Sequence, residues 1–158
     1  MLRGTSATAW YERGCAAEAT DPVSARAAYE RAIAGRRDFA DAYNNLGRLE
    51  HEALSPAHED EAARRSRLAR VESLYRLAIC ADPNIALYWF NLGVVVEDQG
   101  RVAEAIAAYE RALALAPRFA DAHFNLARLF ELVGRSSADE LVLRRAVRHL
   151  VRYRQLVA

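Results

Sequence analysis

The sequence predicts an all-α fold built from repeated pairs of helices, and three observations carry that prediction. A 23-residue phrase occurs twice, as AAYERAIAGRRDFADAYNNLGRL from Ala27 and as AAYERALALAPRFADAHFNLARL from Ala107, with 15 identical positions. Apolar residues recur at helical spacing, as in EAIAAYERALAL, and no long alternating β-branched run occurs. The chain has only four prolines in 158 residues, so few positions break a helix.

The helices are expected in four consecutive pairs. Their predicted bounds are 6–19 and 22–35, 39–53 and 57–81, 85–99 and 102–115, and 119–133 and 138–156. Asp21-Pro22 and Ser55-Pro56 are typical of an N-cap followed by proline at the first helical position, which indicates where the second and fourth helices begin.

Other residues predict the remaining helix ends. Ser137 to Glu140, with the sequence SADE, has the spacing of a capping box and predicts the start of the last helix. Gly100 and Gly134 are expected to end helices, because glycine adopts the left-handed conformation that such an end requires.

The third pair carries residues at the spacing of a known repeat. They are Trp89, Leu92, Gly93, Ala105, Tyr109, Ala112, Leu113 and Pro117. This pattern resembles the tetratricopeptide repeat (TPR), a helix–turn–helix unit of about 34 residues, although Val96 stands where the repeat favours tyrosine. The resemblance implies an α-α superhelix (TPR solenoid) of about four units in one domain over residues 1–158. The implied units are roughly 7–39, 40–85, 86–119 and 120–158.

The residues of the third unit that match the repeat pattern have physical roles. Gly93 lets the two helices of the unit approach closely, where a side chain would hold them apart. Trp89 and Tyr109 are expected to fill the space between neighbouring units. Pro117 cannot continue a helix and therefore ends the unit.

The two copies of the repeated phrase lie 80 residues apart, about twelve more than two repeat lengths. The excess is expected at residues 54–66, between the helices of the second unit, where it lengthens the second helix by roughly three turns. A shorter insertion, SSADELVLR, predicts a lengthened second helix in the fourth unit too. Insertions in repeat arrays map to one edge, so both extensions are expected on the same side.

Composition argues against several classes of function. The net charge is +1, with 22 basic residues, all arginine, against 21 acidic residues, which argues against a nucleic-acid partner. No apolar run reaches the length of a signal peptide or of a membrane span, so we expect a cytoplasmic protein with no membrane partner. Cys15 and Cys80 form no disulfide framework and are expected to be packing residues.

No catalytic constellation is found, so the sequence predicts neither an enzyme nor a cofactor. The glycines are isolated and form no phosphate loop, and no zinc-ligand motif occurs. Possible metal ligands lie close together in sequence at His51, His58, Glu59 and Asp60. A solvated charged turn is the favoured interpretation, because Ser55-Pro56 separates the two histidines.

The most basic stretch is RRAVRHLVRYRQL near the C-terminus. Its basic stripe consists of Arg144, Arg148 and Arg152, and its apolar stripe consists of Leu143, Val147, Leu150 and Val157. An end helix that closes the array with a polar outer face is favoured over a surface for anions, nucleic acid or an acidic partner. Packing of the extended helices on another copy, giving a homodimer, is a further alternative.

The candidate site follows from the resemblance, because the first helix of each TPR unit lines a concave groove that meets ligand. The residues carried over by alignment are Tyr11, Asn44, Asn45, Arg48, Leu87, Phe90, Asn91, Val94, Asp121, Phe124, Asn125 and Arg128, with Cys15 at the rim. The asparagines before each Leu could hold a peptide main chain, the arginines carboxylates, and the apolar residues side chains. The alternative for the asparagines is that they tie neighbouring units together.

The sequence thus predicts a non-enzymatic module that binds a peptide or protein segment in a concave groove. Only Asn45 matches the carboxylate clamp by which some TPR proteins bind chaperone tails, so that partner is not expected. The alternative is a regulatory or sensor domain, because the chain also resembles TPR regions attached to some bacterial MerR-type transcription regulators.

Overall fold

The structure, a computed structural model, describes residues 5–53 and 60–158. Within that part of the chain there are eight α-helices and no strand, which confirms the all-α prediction. The helices are α1 (Ala7–Ala17), α2 (Pro22–Gly35), α3 (Ala40–Glu52), α4 (Glu61–Ala81), α5 (Ala86–Asp98), α6 (Val102–Leu115), α7 (Ala120–Ser137) and α8 (Glu140–Val157). The helices fall into two compact units, each larger than a single repeat. Unit 1 covers Met1–Pro83 and unit 2 covers Asn84–Ala158, and each holds two helix pairs.

Two of the predicted helices have the observed bounds. They are α2 and α6. Asp21 caps α2, because its Oδ1 accepts a hydrogen bond from the backbone N–H of Ser24 at 3.1 Å, and Pro22 is the first helical residue.

Three helix pairs are held by a glycine on the first helix facing a buried tyrosine on the second. The pairs are Gly14 with Tyr29, Gly47 with Tyr75, and Gly93 with Tyr109. A Cβ atom on Gly93 would lie 2.5 Å from Cε1 of Tyr109, so no side chain fits there. The close approach predicted at Gly93 is confirmed.

Tyr109 and Trp89 each contact the other helix of their own pair, and Tyr109 also meets Asn125 of the next pair. The Tyr109 ring contacts Phe90 on α5 at a centroid distance of 5.5 Å. Trp89 is half-buried, and the guanidinium of Arg111 on α6 lies 5.8 Å from its ring centroid.

Helix α4 is longer than its counterparts, as the insertion predicts, but by less than expected. It has 21 residues against 14 in α2 and α6, a gain of about two turns. The chain between α3 and α4 is eight residues long, against three between α5 and α6, and the two differences together account for all twelve extra residues. Asp60 caps α4, so the helix begins at Glu61 and not at 57. The N-cap predicted at Ser55-Pro56 lies outside the described residues.

In the fourth pair both helices have 18 residues, so the first helix is extended as well as the second. Gly134 does not end α7, which corrects the prediction. A Cβ there would lie 2.8 Å from Leu143, so Gly134 serves the packing of α8. The left-handed residue that ends α7 is Ala138, with φ 52°. The capping box is also wrong, because Asp139 is the N-cap of α8 and the Ser137 hydroxyl donates to Val133 O.

Gly100 ends α5 as predicted. Its φ is +75°, a conformation that favours glycine. The N–H of Arg101 donates to Val96 O at 3.0 Å, and the N–H of Gly100 donates to Glu97 O at 2.7 Å. These are the two hydrogen bonds of a Schellman motif.

Candidate functional site

The twelve predicted site residues all lie on the first helices of the pairs, and the two units are described separately. Unit 1 carries four of them, namely Tyr11, Asn44, Asn45 and Arg48. Unit 2 carries Leu87, Phe90, Asn91, Val94, Asp121, Phe124, Asn125 and Arg128. The exposed ones are Leu87, Asp121, Phe124 and Arg128, and the others are half-buried except for Asn44.

Asn44 is turned into the protein. Only 3% of the residue is exposed, and its Nδ2 donates to Oδ1 of Asn45 at 3.2 Å. It therefore offers no side chain to a ligand, a correction to the predicted groove lining.

In unit 1 a polar network joins the first helix pair to α3. Arg48 on α3 pairs with Glu18, just past the end of α1, and the Tyr29 hydroxyl on α2 donates to the same carboxylate. The Asn45 Nδ2 donates to the Tyr11 hydroxyl at 3.2 Å and lies 3.5 Å from that of Tyr29. The network ties neighbouring helix pairs together, as the alternative reading of the asparagines proposed.

Unit 2 repeats this network about 80 residues later. Arg128 on α7 pairs with Glu97 on α5, and the Tyr109 hydroxyl on α6 donates to Glu97 Oε2 at 3.0 Å. Asn125 hydrogen-bonds to Tyr109. The two arginines predicted to hold ligand carboxylates thus each hold a carboxylate of the chain itself.

Burial keeps the tyrosines of these networks neutral. Burial, with hydrogen bonds to Cys15 and Glu18, raises the pKa of Tyr29 far above its ordinary value. Burial and the charge of Glu97 do the same for the pKa of Tyr109. Both hydroxyls therefore stay protonated well above neutral pH and can act as hydrogen-bond donors. Burial and Cys15 raise the pKa of Tyr11 to about 12.

Helices α3 and α7, which contact the preceding helix pair of their unit, each begin with an aromatic contact. Phe39, the N-cap residue of α3, lies 4.8 Å from the ring centroid of Tyr11. Phe119, the N-cap residue of α7, lies 4.8 Å from that of Phe90. Tyr11 and Phe90 therefore contact the next helix pair of their own unit, although each was predicted to line a groove.

An open apolar groove lies between α7 and α8 in unit 2. Its volume is 490 Å³, and its lining residues are Phe124, Ala127, Arg128, Glu131, Arg135, Leu143, Ala146, Val147 and Leu150. Phe124 is 44% exposed, and Val147 on the facing helix is 60% exposed. The α7 side of this groove includes predicted groove residues and the α8 side includes the predicted apolar stripe, but the sequence does not indicate that the two form one site.

The outer surface of α8 is mixed and not uniformly polar. Leu141 is 70% exposed and Val151 48% exposed. In the basic stripe, Arg144 pairs with Glu140 at 3.4 Å and Arg152 donates to Gln155 at 3.3 Å. Part of the positive charge on this helix is thus neutralised on the helix itself.

A buried carboxylate in unit 1 has no counterpart in the sequence analysis. Glu50 on α3 is 5% exposed. Arg70 on α4 donates to both of its oxygens, at 2.8 and 3.0 Å, and Arg26 on α2 lies 3.0 Å away. This cluster links three helices, and no spacing in the sequence indicates it.

A pair of histidines joins α7 to α8. His123 Nδ1 and His149 Nδ1 are 2.9 Å apart, and His123 Nε2 lies 3.1 Å from the carbonyl of Pro117. The carbonyl can only accept, so His123 donates from Nε2, and His149 donates its Nδ1–H to His123 Nδ1. Burial first, then the charges of His123, Arg145 and Arg148, lower the pKa of His149 to about 4.

Neither a metal-ligand cluster nor a membrane-spanning helix occurs within residues 5–53 and 60–158. That part of the chain holds no group of three or more His, Cys, Asp or Glu side chains placed to bind a metal. His58 and Glu59, raised above as ligands, lie outside it. No helix in it combines the length and apolarity that crossing a bilayer requires. Cys15 and Cys80 are both exposed, and the Sγ of Cys15 lies 3.5 Å from the Tyr29 hydroxyl.

Comparison with known proteins supports a TPR-repeat protein. Residues 98–134 match the family model described as TPR repeat. A crystal structure of MamA superimposes with a TM-score of 0.76 over 96% of this chain and 78% of that chain, at 18% identity. MamA from Desulfovibrio magneticus RS-1 gives a TM-score of 0.72 over 97% and 76% of the two chains, at 16% identity. These likenesses show the fold, an all-α helical solenoid.

Curated relatives match over shorter parts. The peroxisomal targeting signal receptor of Kluyveromyces lactis is 45% identical over 53 residues, 34% of this chain and 9% of the receptor. Protein FlbA of Caulobacter vibrioides is 29% identical over 142 residues, 75% of this chain and 24% of that protein. The chain thus spans about a tenth of the first relatives that it matches.

The matches also bear on the alternatives. They indicate no enzyme family, although protein O-mannosyl-transferase Tmtc2 of Drosophila melanogaster is 48% identical over 54 residues, 6% of its length. They do not support the resemblance to repeat regions of MerR-type regulators.

Proposed function

We propose that the chain is a non-enzymatic interaction module that binds a peptide or protein segment on the first-helix surface of unit 2. One observation carries the proposal: Leu87 and Phe124 are 45% and 44% exposed, and Phe124 opens onto an apolar groove of 490 Å³. Exposed apolar side chains beside a concave apolar groove are typical of binding surfaces. A relative of part of the chain is named as a receptor for a targeting signal, which supports recognition of a protein segment.

The polar residues of the predicted groove have a supporting role in this proposal. Arg48, Arg128 and Asn45 are engaged inside the chain, so they shape the surface and hold the helix pairs together. Leu87, Phe124 and the exposed Asp121 remain for direct contact. The partner segment is therefore held mainly by apolar contacts.

Affinity capture from the cells that express the protein tests this, with partners identified by mass spectrometry. The double substitution Leu87→Glu with Phe124→Glu places two charges on the proposed surface and is expected to reduce capture at least tenfold. The matched control is the double substitution Val23→Glu with Leu77→Glu. These two residues are 79% and 46% exposed on the second helices α2 and α4. Equal capture by the two folded double variants would reject the proposed surface.

A further inference from the structure

On the first helix pair of each unit, one face is covered by the helix that follows it. The corresponding face of the pair α7 and α8 is open. In unit 1, α3 lies against α1 and α2 through Asn45 and Arg48. In unit 2, α7 lies against α5 and α6 through Asn125 and Arg128. We call the corresponding surface of α7 and α8 the end face; it consists of Phe124, Arg128, Glu131, Leu143, Val147 and Leu150.

Two residues of the end face have counterparts one repeat earlier. Phe124 and Glu131 follow Phe90 and Glu97 by 34 positions each. Glu97 is 17% exposed under α7, whereas Glu131 is 51% exposed. Phe90 is half-buried, whereas Phe124 is exposed. The equivalent side chains thus differ in burial because one pair is covered by a helix.

The two covering helices of this chain share a sequence pattern. Each starts with a phenylalanine, Phe39 or Phe119, which lies on the aromatic ring of the preceding first helix. Each carries an arginine nine residues later that pairs with a glutamate at the C-terminal end of that helix. The chain therefore shows twice which chemistry fits a face of this kind.

We propose that the end face binds a helix of a protein partner in the position that α3 and α7 hold on the earlier pairs. An aromatic residue at the start of that helix lies on Phe124, and an arginine about nine residues later pairs with Glu131. This inference rests on the proposed function and specifies the partner segment.

Glu131 stands at the place of Glu97, which pairs with Arg128, and this equivalence favours an arginine here. The present partner of Glu131 is Arg135, one turn further along α7 at 2.6 Å, and the two side chains are 51% and 75% exposed. Exposed pairs of this kind contribute little stability, so an arginine brought in under an apolar cover replaces it readily.

A second copy of this chain fits less well than another protein. Docking α1 of a second copy in the same way would place Ser6 at the phenylalanine position and Cys15 at the arginine position, because α1 aligns with α3 through Gly14 and Gly47. Neither residue offers the ring or the charge. The complementary helix is therefore a different one.

A peptide from this chain supplies the probe. Residues 37–53 contain Phe39, Asn45 and Arg48, and Gly47→Ala raises the helicity of the peptide, with alanine as at the equivalent Ala127. The isotope-labelled full chain is titrated with it and followed by NMR. The methyl signals of Leu143, Val147 and Leu150 are expected to shift in a saturable way, and Glu131→Arg is expected to weaken binding at least fivefold.

A charge exchange makes the test specific. The peptide carrying Arg48→Glu is expected to bind the Glu131→Arg chain better than the unchanged chain. Glu140→Arg is the matched control, because Glu140 is 83% exposed on α8 and does not line the groove. It should leave the affinity within twofold. Glu131→Gln, with circular dichroism of each variant, replaces Glu131→Arg if that chain does not fold.

Three results would overturn the inference. They are the absence of saturable shifts at millimolar peptide, shifts that neither charge change alters, and a dimer of the free chain in light scattering that Val147→Glu dissociates. If partner capture still depends on Leu87 and Phe124 in any of these cases, the interaction function stands and only the helix assignment falls.

Discussion

Arg128 on α7 pairs with Glu97 on α5, and that carboxylate also accepts a hydrogen bond from the Tyr109 hydroxyl on α6. The ion pair joins two neighbouring helix pairs of unit 2. Arg48 and Glu18 do the same in unit 1. The repeat is thus held together by a polar contact between first helices as well as by its apolar core.

Replacing Arg128 by alanine should destabilise unit 2. Glu97 is 17% exposed and would keep only the Tyr109 hydroxyl as an observed partner, so we expect a loss of about 1 kcal/mol, since Arg128 itself is half-exposed. Urea unfolding followed by circular dichroism measures it. Arg135→Ala removes an exposed arginine from the same helix and should cost less than about 0.5 kcal/mol. Equal costs would show that the Arg128–Glu97 pair contributes no more than the exposed Arg135–Glu131 pair.

Gly93→Ala should destabilise the chain even though alanine is the better helix former. The added methyl would lie 2.5 Å from the ring of the buried Tyr109, and overpacking of this kind costs about 1–3 kcal/mol. Thermal unfolding detects the loss. Gly35→Ala is the control, because its nearest neighbour is the Ala7 Cβ at 3.3 Å, at the last turn of α2. A stabilised Gly93→Ala protein would contradict the close packing.

Arg70→Ala should be among the more damaging arginine substitutions. It leaves the buried carboxylate of Glu50 with Arg26 as its remaining ion-pair contact, and we expect a loss of about 2 kcal/mol. Arg65→Ala, on the same helix, removes an exposed pair with Glu61 and should be nearly neutral. Chemical denaturation of the two variants compares them, and similar midpoints would mean that Glu50 needs no second arginine.

The histidine pair predicts a loss of stability in mild acid. The pKa of His149 is lowered from 6.5 to about 4 in the folded chain, so the unfolded chain binds a proton first as the pH falls. Stability is then complete above pH 6.5 and is lost between about pH 6.5 and 4, by on the order of 2 kcal/mol. His149→Phe should flatten this part of the profile, and an NMR titration of His149 with a midpoint above 6 would contradict it.

Much of the fold could be predicted because local signals were decisive. Asp21-Pro22 begins α2 through a side-chain cap, and Gly100 ends α5 through its positive φ. The prediction that Gly134 ends α7 was wrong, because a glycine inside a helix can serve close packing as well as a turn. Only the position of Leu143 distinguishes the two. The division of the inserted residues between helix and connection also depends on Asp60, which takes the cap position.

The candidate site was harder to predict for a physical reason. An asparagine or arginine on a first helix can face a ligand or the next helix pair, and both choices need the same polar groups. Asn45 faces Tyr11, 34 positions away along the chain, and Arg48 faces Glu18, 30 positions away. The spacing to those partners is not a sequence signal. Leu87 and Phe124 were predicted from alignment alone, and their exposure makes them the better candidates.

Glu50 and Phe130 occupy equivalent positions of the two units, 80 residues apart, yet their surroundings differ. Glu50 lies between two arginines, whereas Phe130 has the guanidinium of Arg145 4.0 Å from its ring centroid and stacks on His149. The second and fourth helix pairs therefore differ in the chemistry around that position. Anyone who shuffles these repeats into a longer designed array must transplant the position together with its cationic neighbours, because swapping the single residue would bury a carboxylate in a setting made for a ring.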